Sequence, residues 1–186
     1  WKGLVGSEMC IRDSIYATAA SIVVGRWAEN EDGRHARNRG VVRKQMKVFS
    51  FSQDIGFRHC DPAGIVFYPR YFEMMNDAVE LFFRDAVDWP FSRMHAVDRR
   101  GIPAVSAHLD FKSPGRLGDQ LDWTLRVSRL GRSSATMMHQ AMIGDTEILS
   151  GTTTIVHTDL DKMGALAWTD DVRGALAAYV NDGEAG

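Results

Sequence analysis

Cysteine is nearly absent: the 186 residues contain two, Cys10 and Cys60. At most one disulfide can form, and the C-x-x-C and Cys/His spacings of a metal site are missing, so a disulfide-stapled scaffold is excluded and no metal is assigned. This usage fits a reducing, cytoplasmic compartment. Basic excess is lacking too. The formal charge is -2, and no Lys/Arg cluster with interleaved aromatics stands in the main part of the chain, which argues against nucleic acid as a partner. Long apolar runs are also missing. The mostly apolar, charge-free stretch 15–24 is about half of the roughly 20 residues a bilayer span needs, so no membrane span is expected. Glu8 and Asp13 spoil the basic opening of a secretory signal, although Ala17, Ala19 and Ala20 loosely offer a cleavage site. No glycine-rich phosphate loop, no nucleophile elbow around Ser106, no internal repeat and no low-complexity segment is found.

What is present is a hydrophobic content of 45%, enough for one compact domain with a core and, at this length, too little chain for two comfortable ones. Charge divides that chain unevenly. Residues 1–45 carry eight Lys/Arg against five Asp/Glu, whereas 46–186 carry fourteen against nineteen. The stretch 26–44 is charged, rich in Arg and Asn and without sustained periodicity, which reads as disorder. The run from Ser7 to Ser14 resembles a translated adapter fragment found at the ends of unrelated environmental gene predictions. Met46 stands immediately before the first strand-like pattern. We therefore expect 1–45 to be a non-native or disordered extension and 46–186 to be the domain.

Within that domain, Val48, Phe49, Phe51, Ile55 and Phe57 predict a strand over 47–58 that leads straight into His59. Pro69 has the place of a first helical residue. Phe72, Met75, Val79, Phe82 and Ala86 recur at helical spacing. Tyr71, Met74, Ala78 and Leu81 widen that face, predicting a long helix buried on most sides and ended by Asp88-Trp89-Pro90. A short helix within 91–100 follows. Strands are predicted over 102–111, closed by Ser113-Pro114-Gly115, and over 121–128, 134–143 and 148–158, with Gly144-Asp145 as a hairpin turn. Thr169, followed by Asp170 and Asp171, is placed to cap a last helix reaching Tyr179. One strand, one long helix and four antiparallel strands make an α+β layout in which the sheet has to wrap the helix. Its edge strands need cover.

The chemistry concentrates between His59 and Phe72. Pro62 fixes φ after Asp61 and Gly64 permits a left-handed turn, so the chain can fold back sharply there. Unpaired N–H groups at the following helix start, around Tyr68 and Arg70, would point at whatever sits near the turn. A carboxylate beside free amides suits acyl chemistry: one group attacks a carbonyl or activates water while the others stabilise the oxyanion. A plain turn role also fits Asp61. His59, two residues earlier in an extended segment, would point the same way and could orient Asp61 or shuttle a proton, although a partly exposed structural histidine is the plainer reading. His108, His139 and His157 have no matching Cys or carboxylate spacing and read as core or surface. Phe67, Phe72, Met74 and Met75 read as helix core, with one or two lining an acyl tunnel.

The run Cys60-Asp61-Pro62-Ala63-Gly64-Ile65-Val66 ahead of the central helix resembles the signature of the 4-hydroxybenzoyl-CoA thioesterase-like branch of the hotdog-fold acyl-CoA thioesterases. The segments from Phe111 to Asp119 and from Arg129 to Ser134 are similar to later motifs of that family, so the resemblance runs from about Met46 to His157. It implies a hotdog fold, an antiparallel sheet wrapped around a long central helix. It further implies hydrolysis of a thioester to a carboxylic acid and free coenzyme A. No metal or redox cofactor takes part, coenzyme A being a piece of the acyl-CoA substrate. Asp61 aligns with the family's nucleophile or general base and Tyr68 with the residue whose backbone N–H polarises the thioester carbonyl; Gly64 and Phe67 lie at the same substrate turn. Lys112, Arg116 and Arg132 fall where the family contacts coenzyme A phosphates, or are solvated charges, and Ser133 could hydrogen-bond phosphate or pantetheine. Sites in this family form between subunits, which implies a homodimer or homotetramer. A hotdog hydratase or dehydratase is a weaker fit, because His59-Cys60-Asp61-Pro62 departs from the G-D-x-N-P-x-H run of those branches. A non-catalytic acyl-binding hotdog subunit is the third reading, since fold does not fix function.

A chain begun at Met46 is expected to fold and to melt at the temperature of the full chain. Aggregation, or a clearly lower melting temperature, would make 1–45 a structural part of the domain.

Overall fold

The computed structural model describes residues 47–180. The expected extension, 1–45, lies outside them. The described chain begins with strand β1 (Phe49–Asp54), and after a turn enters the long helix α1 (Tyr68–Asp85) and the short helix α2 (Phe91–Ala96). Strands β2 (Arg100–Gly101), β3 (Ala104–Phe111), β4 (Gln120–Leu130), β5 (Ser134–Ile143), β6 (Thr146–Val156), β7 (Thr158–Asp159) and β8 (Gly164–Ala165) follow, then helix α3 (Asp170–Ala177). Among the described residues the main sheet has five strands in the order β1-β4-β5-β6-β3, every neighbouring pair antiparallel. It curls over α1, which is the hotdog arrangement.

Alternation fixes which sheet face meets the helix. Leu121, Trp123, Leu125 and Val127 of β4 are fully buried, as are Ala135, Met137 and Ala141 of β5, while their neighbours in sequence turn outward. The β5–β6 hairpin turns on Gly144 at φ +56°, a left-handed conformation, as the Gly-Asp pair predicts. From α1, Tyr71, Met74, Met75, Ala78, Val79, Phe82 and Phe83 enter this core, each large side chain contributing about 1.5–3 kcal/mol of hydrophobic stabilisation. The helix is not buried on most sides, however. Glu73, Asn76, Asp77, Glu80, Arg84 and Asp85 form an exposed face, because the apolar positions fill one stripe and the residues between them are charged.

Other boundaries differ for local reasons. β1 stops at Asp54 instead of running to Arg58, and α1 stops at Asp85, its exit passing through Asp88 in a left-handed conformation, φ +58°. Thr169 precedes α3, but its side chain makes no cap hydrogen bond. A second, three-stranded sheet, β2-β7-β8, was not predicted. Its strands have two residues each, too short for any periodicity.

Besides His59, at the turn before α1, two histidines are buried among the described residues. His139, on the core face of β5, accepts a hydrogen bond from Trp123 Nε1–H at Nδ1, 3.2 Å, while Nε2 has no partner. His157 follows β6, stacked on Trp168 and edge-on to Trp89, with Nδ1 against the Ala167 carbonyl at 3.0 Å. Burial pushes both pKa values down, that of His139 to about 4. Both are therefore neutral at pH 7, and His139 opposes folding only where the unfolded chain is protonated and the folded chain is not. Its contribution is flat above pH 6.5, and stability is lost as pH falls from there towards about 4. We expect His139→Gln, which keeps an acceptor for Trp123, to lose about 2 kcal/mol less than the parent chain between pH 7 and 4.5 in urea unfolding. Equal losses in the two chains would show that His139 takes up its proton as readily folded as unfolded.

Candidate active site

The Asp61 turn is built from backbone hydrogen bonds. Ile55 leaves the sheet ladder: its N–H donates to the Asp119 carbonyl at 2.8 Å, and its carbonyl accepts from Gly118 N–H at 2.9 Å. One turn of 3₁₀ helix, Phe57–His59, follows. The arms on either side of Asp61 then pair with each other. Asp61 N–H donates to Ile65 O at 2.9 Å, Phe67 N–H donates to His59 O at 2.9 Å, and Cys60 and Val66 form an antiparallel bridge between them. Gly64 takes φ +75° at the reversal, which is where a glycine is needed, and its N–H donates to Asp61 O at 2.9 Å.

Asp61 keeps its turn role with one oxygen. Oδ1 accepts from Ala63 N–H at 2.8 Å, and Oδ2 has no hydrogen bond among the described residues. The half-exposed carboxylate is thus oriented and still has a free oxygen. At the end of the second arm α1 starts with Tyr68, Phe67 being its N-cap without a side-chain cap. Pro69 has no N–H, Arg70 N–H is used on Phe67 O at 2.8 Å, and Tyr68 N–H belongs to the first-turn amides that have no acceptor within the helix. That amide sits at the positive end of the helix dipole.

His59 corrects an expectation. It closes the 3₁₀ turn instead of lying in extended chain, and it is buried, not partly exposed. Its Nδ1 lies 3.0 Å from Gly56 N–H and its Nε2 2.8 Å from Arg58 Nε. A neutral imidazole has one acceptor nitrogen, so only one of these contacts is a hydrogen bond at a time. Burial, then the charges of Arg58 and Arg70, hold its pKa below the ordinary histidine value. No hydrogen bond joins His59 to Asp61 among the described residues; the histidine acts on the turn through its backbone carbonyl.

The segment after β3 braces the turn from outside. Gly115 O accepts from Val66 N–H at 3.0 Å, Arg116 bridges Ile65, and Leu117 N–H reaches Gly64 O at 3.4 Å. Gly115 N–H donates to the Tyr71 hydroxyl oxygen at 3.1 Å, inside the protein. Lys112 and Arg116 are exposed on this segment and so stand beside the Asp61 turn. Arg132 and Ser133 do not. They lie beyond the far end of β4, whose eleven residues separate its ends by about 33 Å. Their backbones serve that end, Arg132 O accepting from Trp168 N–H at 3.0 Å and Ser133 O from His157 N–H at 2.7 Å.

Sequence reasoning missed four participants. Tyr71 and Gly115 were read as helix core and strand terminator, and nothing local marks their contact across 44 residues. Arg58 flanks His59, and Arg70 pairs with Glu73 at 2.7 Å. The aromatic environment differs as well. Phe67 is exposed at 47%, not core, and its ring meets Tyr68 edge-on at 5.3 Å. Phe111 at the end of β3 lies 5.6 Å from Tyr71, 6.4 Å from Tyr68 and 6.5 Å from Phe72. A half-exposed aromatic cluster thus flanks the free amide. Among the described residues no three His, Cys, Asp or Glu side chains converge as a metal site requires, and no helix is long and apolar enough to cross a membrane.

Solved structures share this fold. A gentisyl-coenzyme A thioesterase superposes with TM-score 0.63 at 27% identity, covering 68% of this chain and 98% of its own. A 1,4-dihydroxy-2-naphthoyl-CoA thioesterase from Synechocystis gives 0.65 at 17%, covering 70% and 96%. A Staphylococcus aureus protein solved in complex with CoA gives 0.66 at 14%, covering 72% and 84%. No curated protein matches the sequence. The family description "Thioesterase-like superfamily" matches residues 55–176, from the brace of the Asp61 turn to the last helix, and the chain belongs to that superfamily.

Proposed function

We propose that this thioesterase-family chain hydrolyses an acyl-CoA to a carboxylic acid and free coenzyme A at the Asp61 turn, in the manner of the 4-hydroxybenzoyl-CoA thioesterase-like branch. The observation that carries the reading is one carboxylate oxygen held by Ala63 and the other free, on a hairpin that ends in the Tyr68 amide, both without a partner among the described residues. Asp61 pairs with Ile65, so three residues, about 10 Å of extended chain, separate its position from Tyr68. The Asp61 side chain and a thioester carbonyl share that gap. The free oxygen attacks the carbonyl, the C–S bond breaks and a mixed anhydride is left for water to open, or it takes a proton from water, which then attacks. Either way the carbonyl oxygen becomes negative against Tyr68 N–H. Both routes balance with water alone, so no cofactor is assigned.

An aromatic acyl group suits the rings of Phe67, Tyr68 and Phe111 beside the amide, and a gentisyl-CoA thioesterase is the 27%-identical neighbour. Lys112 and Arg116 are assigned to coenzyme A phosphates. Arg132 and Ser133 reach the same substrate only from a second copy of the chain. The edge strand β3 is suited to meet such a copy: seven of its eight residues are exposed, on both faces. A homodimer, or a homotetramer built from it, in the cytoplasm is the proposed form.

Asp61→Asn keeps volume and the Ala63 hydrogen bond, so its loss falls on chemistry. We expect kcat to drop by about 10² to 10⁴ with acyl-CoA binding and melting temperature retained. His59→Ala should lower the melting temperature and leave most of kcat in the folded enzyme. Near-full kcat in the Asn variant beside a large loss in the Ala variant would shift the mechanism to histidine. Absence of thiol release by the parent on any aromatic or aliphatic acyl-CoA would favour the non-catalytic reading.

A second expectation concerns binding. Lys112→Ala and Arg116→Ala should raise KM with little change in kcat, more strongly at low salt, since exposed charges are screened within about 10 Å at 0.1 M. Unchanged KM at low ionic strength would return both to the solvated surface.

A further inference from the structure

Two hydrogen bonds and one apolar side chain meet at Gly115. Its carbonyl holds Val66, on the arm between Asp61 and Tyr68, and its N–H ends on the Tyr71 hydroxyl in the first turn of α1. A Cβ at this glycine would sit 2.7 Å from Ile55 Cδ1 and 2.9 Å from the Tyr71 oxygen, so the three groups are already at contact. Ile55 in turn is fixed by both of its backbone groups to residues 118 and 119. We propose that Tyr71 is a positioning residue for the hydrolysis assigned to Asp61: its hydroxyl oxygen fixes Gly115, and Gly115 fixes the Val66 backbone that sets the spacing between the carboxylate and the Tyr68 amide. The inference rests on that assignment.

The hydroxyl is not needed for packing. Tyr71 is 4% exposed, and core positions about three turns further along the same helix are filled by Phe82 and Phe83, which offer the same ring without oxygen. What the phenol adds is an acceptor for an amide that is itself buried and, among the described residues, has no other partner. Burial also raises the Tyr71 pKa above its ordinary value, so the phenol stays protonated at neutral pH and its role is geometric, without charge. Without that acceptor the Pro114–Gly115 peptide plane is free to rotate towards water or another partner; this shifts the Gly115 Cα and, through it, the next peptide plane, whose carbonyl holds Val66. Because Val66 lies on the arm joining the two reacting positions, a small rotation changes their separation directly.

A displacement of about 1 Å at reacting groups can change rate by about 10²-fold. In the full chain, on the best substrate of an acyl-CoA panel, Tyr71→Phe is expected to lower kcat about ten- to hundredfold, with KM within about twofold and the shape of the kcat–pH profile unchanged. Gly115→Ala pushes the same contact apart from the other side and should give the same defect. The double variant should be no slower than the worse single one, since both act through one contact. A residue that merely stabilises the fold would lower the melting temperature and leave kcat of the folded enzyme alone. That outcome, kcat within about twofold of the parent for Tyr71→Phe, overturns the proposal. So does loss of the alkaline limb of the pH profile, which would make the phenol a proton-transfer group. If the parent hydrolyses nothing, the reading of the site falls and this inference with it; an active parent with an unaffected Tyr71→Phe sinks the inference alone.

Discussion

The pairing of the turn 59–67 with the segment 113–119 is the constraint on which the site depends. Neither stretch belongs to the main sheet or to a long helix, and the turn has only the short pairing of its own two arms. Val66 on Gly115, Arg116 beside Ile65 and Leu117 on Gly64 join the two stretches and add to that pairing. Each hydrogen bond contributes about 1 kcal/mol net, but a buried amide left without its partner costs about 1–3 kcal/mol, so the set is held mainly by the penalty of breaking it. The turn can therefore be both off the sheet and rigid. A carboxylate that must keep one oxygen free needs such support, since a flexible Asp would use both oxygens on neighbouring amides.

Helix α1 divides its work along its length. Its middle and last turns enter the core through Met74, Ala78, Phe82 and Phe83, while its first turn is left without a side-chain cap and with a proline that removes a donor. Judged as a helix alone, the start is poor: the usual Ser, Thr, Asp or Asn is replaced by Phe67. The missing cap leaves the Tyr68 N–H free for an incoming anion or carbonyl, and the dipole of an 18-residue helix stands behind it. Packing further along the helix supplies the stability that the first turn gives up.

Much of this was legible because periodicity is a local property. Strand β4 announced itself by alternation, the β5–β6 hairpin by its Gly144-Asp145 turn, and the carboxylate, Pro62 and Gly64 announced a turn before a helix. What stayed hidden is what depends on chain reversal. Arg132 follows a recognisable strand, yet nothing in its spacing says that β4 runs away from Asp61, carrying Arg132 to the far end of the sheet. The partnership of Tyr71 with Gly115 and the two-residue strands of the small sheet are long-range contacts with no repeat. His59 was misplaced by one assumption: an extended chain through Gly56 would have aligned it with Asp61, whereas the 3₁₀ turn buries it. The helix was judged too apolar because Phe72 and Leu81 are half-exposed flanks of the stripe rather than parts of it.

The open side of the site is the remaining clue. On β4, alternation buries every second residue, whereas on β3 Leu109 alone is buried, and Val105 is 63% and Phe111 45% exposed. A strand with an unpaired edge, apolar residues on show and an aromatic end is costly to leave in water. Phe111 stands where that edge meets the ring cluster around Tyr68, so whatever covers β3 also closes one wall of the site. A second copy pairing there would add a wall from its own far-end loops or its own brace. The exposed rings would then face the proposed acyl group across a dry gap, where electrostatic contacts from the carboxylate oxygen and the helix amide would be stronger than in water.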